Sequence, residues 1–569
     1  MTARLVELTE TGVITPATVR LARHLGFLYG EDNELVIMAI ACTIAALSAG
    51  SVCFDIDHPA QLNTEAELDW PDPVEWLSVL EGSSLVSTDH SCRDRVLILD
   101  GNSVYLTRYW AQQDKIVEWM SARVSQPNTT VDESILDRVC DAAAEQQRAA
   151  AKLAAESRFC VVAGGPGTGK TTAVAQILAV LVQQRSQRLR VILSAPTGRA
   201  AARLEQAVRE NLARRQLDSS AMIRVTSGTL HRILGVKPWG ATDYNATRPL
   251  AADVVIVDEA SMLSMNMMTL LLAAVAEPTR LILLGDPDQL ASVEAGAVLA
   301  DIVANANTVP VARLTKQYRF AGAIAALCDA VRNGDDNKAL EIINQGDNQI
   351  EWIIPSSGLV NFFADNLESL RQDVMQQGIG MIEAGEAGDV DQALTWLNCH
   401  RLLLAHRHGP TGVSGWTQAI KTLISGGAEA AGQLWYPGLP ILVTRNDETL
   451  NLFNGDSGVV VRHGTGVSLA IDDGTGSRLI SPDMIESWEP LYGSTIHKAQ
   501  GSQFDSVSVV LPPPGTTLLS RELFYTAVTR AKTFLRIIGT PQSIRQAIQS
   551  PAQRASGLSS RLQGLSKPT

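Results

Sequence analysis

A glycine-rich loop that ends in lysine and threonine could bind the phosphates of a nucleotide. The loop reads Gly164-Gly165-Pro166-Gly167-Thr168-Gly169-Lys170-Thr171 and matches the pattern GxxxxGK(S/T). Its glycines allow backbone N–H groups to close around phosphate oxygens, and the start of a following helix adds a partial positive charge. Lys170 is expected to reach the β- and γ-phosphates, and the Thr171 hydroxyl is expected to ligate Mg²⁺.

Two elements must position this loop. An apolar strand is predicted at residues 159–163 before it, and a helix from Thr172 to about Gln184 after it. Thr172 is therefore counted with the nucleotide-binding residues. A glycine-rich turn that matches the pattern by chance is the alternative, and the correct flanking elements argue against it.

Two carboxylates downstream could complete a hydrolytic site. Asp258 and Glu259 follow the apolar run at residues 254–257, which is typical of a buried parallel strand. Asp258 is expected to hold the Mg²⁺ shell, and Glu259 to activate the attacking water. Acidic residues often end strands, so the pair is a weak signal alone. Together with the phosphate loop it favours nucleotide hydrolysis.

A third strand is predicted at residues 281–284, and a polar segment, residues 285–290, follows it. Gln289 in this segment could sense the γ-phosphate and relay its loss. A proline-containing turn explains the segment equally well.

Composition predicts a globular chain of several domains. The 569 residues correspond to three or four domains, with 45% hydrophobic and 19% charged residues. The seven cysteines form no CxxC pair, which argues against zinc and iron–sulfur sites and suits a cytoplasmic location. No export signal is visible. The apolar run at residues 35–47 is shorter than the roughly 20 residues that span a bilayer, so we expect a core helix and no membrane partner.

Charge is distributed unevenly along the chain. The net charge is −13, but residues 1–115 alone hold 17 acidic and 7 basic residues. Residues 181–220 hold eight arginines and three acidic residues. The basic stretch after the phosphate loop is therefore compatible with a nucleic-acid partner. The acidic N-terminal part is either a docking surface or simply a solvated surface.

Ordered motifs across roughly residues 140–540 resemble those of superfamily-1 DNA helicases. The resemblance is closest to the RecD family, whose members are subunits of RecBCD (exonuclease V) complexes. The matching segments are Gln147, the phosphate loop, and residues 194–201, 229–232, 285–290 (motif III), 314–320 (motif IV), 494–501 (motif V) and 525–532 (motif VI).

The resemblance implies further nucleotide contacts. Gln147 corresponds to a glutamine that contacts adenine, while Arg319 and Arg530 correspond to arginines that reach the γ-phosphate from a second domain. Any single arginine is more often a surface charge, but these two fall within motifs IV and VI. Gln503 stands where the family usually has a glutamate near the ribose. The implied catalytic residues are Lys170, Glu259, Gln289, Arg319 and Arg530.

The resemblance also implies a track for single-stranded DNA. The expected contacts are Thr197, Arg199, Thr229, His231, Thr495 and His497. His231 and His497 could instead be ordinary structural histidines. Contacts of this kind hold phosphates, so the track is expected to be blind to sequence.

The implied fold is α/β, with two RecA-like parallel-sheet motor domains, an α-rich N-terminal domain and a small SH3-like β-barrel insertion. The expected boundaries are 1–115 for the N-terminal docking domain, 135–320 for motor domain 1, 321–440 with 490–569 for motor domain 2, and 454–490 for the insertion. Short alternating runs and Gly/Asp turns independently favour β structure in the insertion.

The implied function is that of an ATP-dependent DNA helicase subunit with Mg²⁺, moving 5′→3′ on single-stranded DNA from DNA ends. Its partners would be RecB-like and RecC-like subunits of a heterotrimer that processes double-strand breaks for recombinational repair. Direction follows wholly from the resemblance. A stand-alone RecD-like helicase is the alternative. A structural subunit with a vestigial ATPase is a third possibility, and the intact motif residues argue against it.

Overall fold

The described residues form four β-sheets with flanking helices, and two of these sheets are entirely parallel. A computed structural model describes the chain except for residues 1–2, 63–67, 125–129, 142, 186, 215–221, 238, 319–321, 356–361, 410, 425–433, 448, 473–475 and 566–569. The α/β class predicted from the sequence is confirmed.

The N-terminal domain combines helices with a small sheet of order β1-β4-β3-β2. The apolar run at residues 35–47 lies in α3, whose central turns are buried, so it is a core helix. Among the described residues, none of the helices has both the length and the apolar character needed to cross a bilayer. The elements are α1 Ala3–Glu10, α2 Pro16–Tyr29, α3 Glu34–Ser48, β1 Phe54–Asp55, α4 Pro73–Gly82, β2 Val86–Ser87, β3 Leu97–Asp100, β4 Ser103–Leu106 and α5 Thr107–Val124.

Motor domain 1 is a six-stranded parallel sheet of order β10-β5-β9-β8-β6-β7 with helices on both faces. The predicted strands at 159–163, 254–257 and 281–284 are three of its four interior strands, and all three are fully buried. The elements are α6 Glu133–Val139, α7 Glu145–Glu156, β5 Phe159–Gly164, α8 Lys170–Gln183, β6 Leu189–Ala195, α9 Gly198–Arg214, β7 Ile223–Thr229, α10 Leu230–Leu234, β8 Val254–Val257, α11 Met265–Ala274, β9 Arg280–Gly285, α12 Val298–Ala304 and β10 Val311–Leu314.

The remaining chain forms a five-stranded parallel sheet and a five-stranded antiparallel sheet. The elements are α13 Ala323–Arg332, α14 Asp336–Gln345, β11 Ile350–Ile353, α15 Glu368–Ala387, α16 Val390–Cys399, β12 His400–Leu404, α17 Val413–Ile424, β13 Pro440–Val443, β14 Ser457–His463, β15 Gly466–Asp472, β16 Ser477–Ile480, β17 Trp488–Pro490, β18 Ser494–Thr495, β19 Phe504–Val510, α18 Arg521–Val528, β20 Ala531–Ile538, α19 Pro541–Gln549 and α20 Leu558–Gln563.

The parallel sheet, of order β11-β20-β19-β12-β18, is the core of motor domain 2. The antiparallel sheet, of order β16-β15-β14-β13-β17, interrupts it in the chain. This sheet begins at Pro440, earlier than the expected start at 454, because β13 pairs with both β14 and β17. An SH3-like barrel form of the insertion stays a prediction.

The last described residues, 551–565, leave motor domain 2 and cross back to the other two domains. Leu558 and Leu562 are buried in the same apolar cluster as Trp110 of α5 and Ile302 of α12. This C-terminal strap therefore packs outside the second motor domain, in which the sequence analysis placed all of 490–569. Apolar burial at two helical positions four residues apart explains the packing.

Candidate functional site

The phosphate loop connects β5 to α8 at the carboxyl edge of the first parallel sheet. Gly167 and Gly169 have φ values of 80° and 84°, a region that glycine adopts without strain. A Cβ on Gly164 would lie 2.7 Å from the Thr168 hydroxyl oxygen, and one on Gly165 would lie 3.0 Å from the Tyr525 hydroxyl oxygen. Glycine therefore avoids close contacts at both points, and the loop lines one wall of a cavity.

The Lys170 ammonium lies inside this loop. Its Nζ donates to the carbonyl oxygens of Gly164 at 2.7 Å and of Gly165 at 3.2 Å. The Thr168 hydroxyl also donates to the Gly165 carbonyl, at 2.8 Å. These bonds fix the loop from within, while Pro166, Thr171 and Thr172 line the adjoining cavity of about 450 Å³.

Asp258 and Glu259 face the same cavity from the end of β8. The Glu259 N–H donates to Asp258 Oδ1 at 2.8 Å. Glu259 has a φ of 51°, unusual for a residue with a side chain, so the backbone turns sharply after the strand. Burial and the Glu259 carboxylate raise the pKa of Asp258 to about 6, and the Lys170 ammonium opposes this rise. A divalent cation here would favour the charged form of Asp258.

Arg530 closes the cavity from motor domain 2. Its buried guanidinium donates to the carbonyl oxygens of Thr526 at 2.9 Å and Ser502 at 3.1 Å, and to the Thr529 hydroxyl at 3.1 Å. Burial lowers its pKa, and the nearby Glu259 carboxylate opposes this effect. Arg530 is therefore held rigidly at the interface between the motor domains.

Gln289 and Gln503 also line the cavity. The Gln289 amide nitrogen donates to Asp286 Oδ2 at 3.0 Å, and its amide oxygen is buried without a hydrogen-bond partner among the described residues. That oxygen could accept a hydrogen bond from a water near the γ-phosphate. Arg319, the other expected arginine, lies outside the described residues.

Gln147 lies behind the loop rather than on the cavity wall. Its buried amide donates to the Thr168 carbonyl at 2.9 Å and accepts from the Tyr318 hydroxyl at 3.4 Å. Tyr318 lines the cavity with its ring half exposed. Tyr318 was not among the residues predicted from the sequence, although an aromatic residue in motif IV is a signal for a base-stacking surface.

A second cavity of about 350 Å³ lies between the two motor domains and brings together three expected DNA contacts. Thr197 and His231 come from motor domain 1, and His497 comes from motor domain 2. Burial lowers the pKa of both histidines, opposed by Glu294 at His231 and reinforced by Arg554 at His497. Both rings are therefore neutral near pH 7 and suited to hydrogen bonding or stacking rather than ion pairing. We call this cavity the groove.

The other three expected DNA contacts have different surroundings. The Thr229 hydroxyl accepts the Arg232 N–H at 3.3 Å and caps α10. The Thr495 hydroxyl accepts the Lys498 N–H at 3.3 Å. Arg199 donates to Asn398 of motor domain 2 at 3.0 Å and lies 3.9 Å from Asp472 of the antiparallel sheet. A direct DNA role for these three residues stays a prediction.

Several groove residues were missed by the sequence analysis. Val293 and Glu294, just after motif III, line the groove beside Asn454 and Gly455 of the insertion. The turn at 454–458 is visible in the sequence as a Gly/Asp cluster. Its position against motor domain 1 is not visible, because tertiary packing alone brings the insertion to the groove.

Family models match three segments of the chain. They describe the N-terminal domain of the RecBCD enzyme subunit RecD over residues 10–105, an AAA domain over 141–352 and a UvrD-like helicase C-terminal domain over 490–538. The last two cover the phosphate loop and motif VI.

Known proteins that resemble this chain differ in how many of its residues they match. The RecBCD enzyme subunit RecD of Mycolicibacterium smegmatis is 43% identical over 563 residues, covering 97% of this chain and 98% of that protein. The ATP-dependent RecD2 DNA helicase of Deinococcus radiodurans is 32% identical over 394 residues, covering 68% of this chain and 48% of that protein. A solved Bacteroides Pif1 bound to single-stranded DNA is 16% identical with a TM-score of 0.40, covering 70% of this chain and 93% of its own.

Proposed function

The chain belongs to the RecD family of RecBCD enzyme subunits, and from this membership we infer that it is an ATP-dependent DNA helicase subunit moving 5′→3′ on single-stranded DNA. One observation carries the inference. The phosphate loop and the carboxylates of motor domain 1 share a cavity with Arg530 of motor domain 2. A nucleotide in that cavity would be contacted from both domains, so its hydrolysis can change their separation.

The residues of the cavity have complementary roles in ATP hydrolysis. Lys170 binds the β- and γ-phosphates, and Thr171 with Asp258 would hold Mg²⁺, which neutralises charge on the phosphate oxygens. Glu259 accepts a proton from the attacking water, since its carboxylate lies beside the Asp258 end of the cavity. Arg530 stabilises the charge that develops during transfer, and Gln289 of motif III senses the γ-phosphate and relays its loss.

The groove is the proposed path of single-stranded DNA. Residues of both motor domains line the groove. A change in the separation of the domains would therefore move the DNA contacts of one domain relative to those of the other. Hydroxyls and neutral histidines can hydrogen-bond to the sugar–phosphate backbone, and apolar side chains can pack against the faces of the bases. Neither kind of contact distinguishes one base from another. Opening each base-pair step requires about 1.4 kcal/mol in lost stacking, which ATP turnover must supply.

Partner subunits are proposed to dock on the N-terminal domain, residues 1–115. This domain carries most of the net negative charge, so it disfavours DNA as its ligand. Helix α2 also exposes four apolar side chains, Leu21, Phe27, Leu28 and Tyr29, which are together called the α2 patch. RecB-like and RecC-like subunits are the proposed occupants. The complex would act in the cytoplasm on DNA ends during double-strand-break repair and recombination.

A stand-alone helicase resembling RecD2 is the second candidate, favoured by the 32% identity to that enzyme. The two candidates differ in whether the chain co-purifies with larger subunits. Native purification followed by mass spectrometry of the bound chains separates them.

The helicase activity itself is tested with the purified chain and duplexes that carry one single-stranded tail. ATP turnover is expected to rise on addition of single-stranded DNA, and strand separation is expected with a 5′ tail and not with a 3′ tail. The Lys170→Ala variant serves as the control for contaminating ATPases. ATP turnover that ignores DNA would contradict the helicase, and unwinding only from a 3′ tail would contradict the direction.

A further inference from the structure

The C-terminal strap, residues 551–565, connects all three domains. At its start, the Ala552 N–H donates to Glu522 Oε2 on α18 of motor domain 2 at 2.7 Å. Further along, the Val52 N–H of the N-terminal domain donates to the Ala555 carbonyl at 2.7 Å. The Ser556 hydroxyl then donates to Asp301 of motor domain 1 at 2.9 Å. The strap therefore runs from α18 of motor domain 2 to the N-terminal domain and motor domain 1.

Arg554 of the strap binds one specific loop of motor domain 1. Its Nη1 donates to the carbonyl oxygen of Ser292 at 2.6 Å, and lies 3.4 Å from those of Glu294 and Gly296. Gly50 makes room for this guanidinium, since a Cβ there would lie 2.9 Å from Arg554 Cζ. A cation that gathers several carbonyl oxygens fixes the curvature of the loop that carries them.

The loop that Arg554 holds joins the two functional cavities. Motif III, which places Gln289 at the nucleotide, ends immediately before it. Ser292, Val293 and Glu294 in the loop line the groove opposite His497. Val293 is 75% exposed, so packing of its side chain does little to hold this part of the groove wall. The position of the wall therefore depends on the backbone of the loop. A displacement of the loop would therefore alter the groove and the end of motif III together.

We propose that Arg554 is a positioning residue for DNA-coupled ATP turnover, holding residues 292–296 so that the groove wall and motif III stay in register. The inference rests on the proposed helicase function. Arg554 acts through backbone carbonyls rather than by contact with DNA or nucleotide, so its removal should weaken DNA coupling and spare the nucleotide cavity.

The test compares Arg554→Ala, Arg554→Lys and the neighbouring exposed control Gln553→Ala in the full-length chain. ATP turnover is measured without DNA and across a titration of an oligothymidine strand. For Arg554→Ala we expect the half-saturating DNA concentration to rise about tenfold, the equivalent of one charge-assisted hydrogen bond, with DNA-free turnover within about twofold of the parent. Arg554→Lys should recover part of the loss because it keeps the charge, and Gln553→Ala should match the parent.

The salt dependence of DNA binding distinguishes positioning from direct contact. Arg554→Ala should leave the slope of log affinity against log salt unchanged, whereas loss of one phosphate contact to a single strand lowers it by about 0.7. Such a fall would overturn the positioning role. So would parent-like DNA half-saturation, or an equal loss of DNA-free and stimulated turnover. If Arg554→Ala does not fold, Arg554→Gln is judged by the same criteria. A parent chain without DNA-stimulated turnover would instead refute the proposed function.

Discussion

The side-chain amide of Gln500 donates a hydrogen bond to the backbone carbonyl of Leu290 at 2.7 Å. Gln500 belongs to motif V of motor domain 2, and Leu290 ends motif III of motor domain 1. The Leu290 N–H is held as well, by the Thr526 hydroxyl of motif VI at 2.9 Å. Motor domain 2 therefore binds both the N–H and the carbonyl of Leu290. In the chain, Leu290 lies between Gln289 of the nucleotide cavity and Ser292 of the groove.

These two hydrogen bonds predict that Gln500→Ala weakens the coupling between DNA binding and ATP turnover. We expect DNA-stimulated turnover to fall about tenfold with Mg-ATP affinity unchanged, since one buried hydrogen bond between the domains is lost. Thr526→Val removes the other bond with little change in volume. Because both variants release the same residue, the double variant should show less than the sum of the two effects. Full additivity, measured by steady-state ATPase titrations with DNA, would show that the two bonds act independently.

Lys170→Ala should abolish ATP hydrolysis and leave the fold intact. The ammonium is the group that reaches the β- and γ-phosphates. The variant loses the two Lys170 bonds to the loop carbonyls, but the loop keeps its glycines and the Thr168 hydrogen bond. Turnover is measured by phosphate release, and folding by circular dichroism and thermal unfolding. Turnover within about twofold of the parent would remove Lys170 from the catalytic residues.

Glu259→Gln should keep binding of Mg-ATP and DNA but lose turnover. The substitution preserves size and removes the proton acceptor, while the Glu259 N–H bond to Asp258 remains. Equilibrium binding of a fluorescent ATP analogue with Mg²⁺ is compared with single-turnover hydrolysis. A collapse of Mg-dependent affinity would identify Glu259 as a metal ligand instead.

Arg530→Lys tests the role of Arg530 in the transition state more directly than Arg530→Ala does. Alanine would remove three hydrogen bonds that the guanidinium donates, and each buried acceptor that finds no other donor destabilises the protein by about 1–3 kcal/mol. Lysine keeps the charge and loses the planar geometry, so we expect turnover to fall about 10³-fold with little change in nucleotide affinity. An effect confined to KM would argue against contact in the transition state.

The nucleotide cavity was largely predictable because its residues lie within short, contiguous motifs, and most of these motifs follow buried parallel strands of motor domain 1. Lys170, Asp258, Glu259, Gln289 and Arg530 all reach one cavity, as their motif positions imply. Parallel strands place their carboxyl ends at one edge, so position along the chain determines position in space.

Contacts between domains were not predictable in the same way. Arg199, which was expected on the DNA path, also donates a hydrogen bond to Asn398 of α16. Nothing in the local sequence of α9 specifies that partner, which lies in another domain. The C-terminal strap has the same character. Its two buried leucines show a helix with an apolar face, but only the packed structure shows which surface that face covers.

The docking role of the N-terminal domain is best tested at its surface, not by deleting residues 1–115. Such a deletion would end within α5, which packs on motor domain 1, and would expose the cluster that buries Leu558 and Leu562. Phe27→Glu combined with Leu28→Glu alters the α2 patch, where both side chains are more than half exposed, without entering the core.

We expect the Phe27→Glu/Leu28→Glu variant to lose its partner subunits and keep its DNA-stimulated ATPase. Two apolar anchors at an interface contribute enough that charging both should weaken binding at least about tenfold. Val74→Glu is the matched control, because Val74 is an exposed apolar residue on α4, outside the α2 patch. Partner recovery is quantified by mass spectrometry after affinity purification. Recovery of the same partners at parent yield by the double variant would place the docking surface elsewhere, while equal losses in both variants would indicate a general effect of added negative charge.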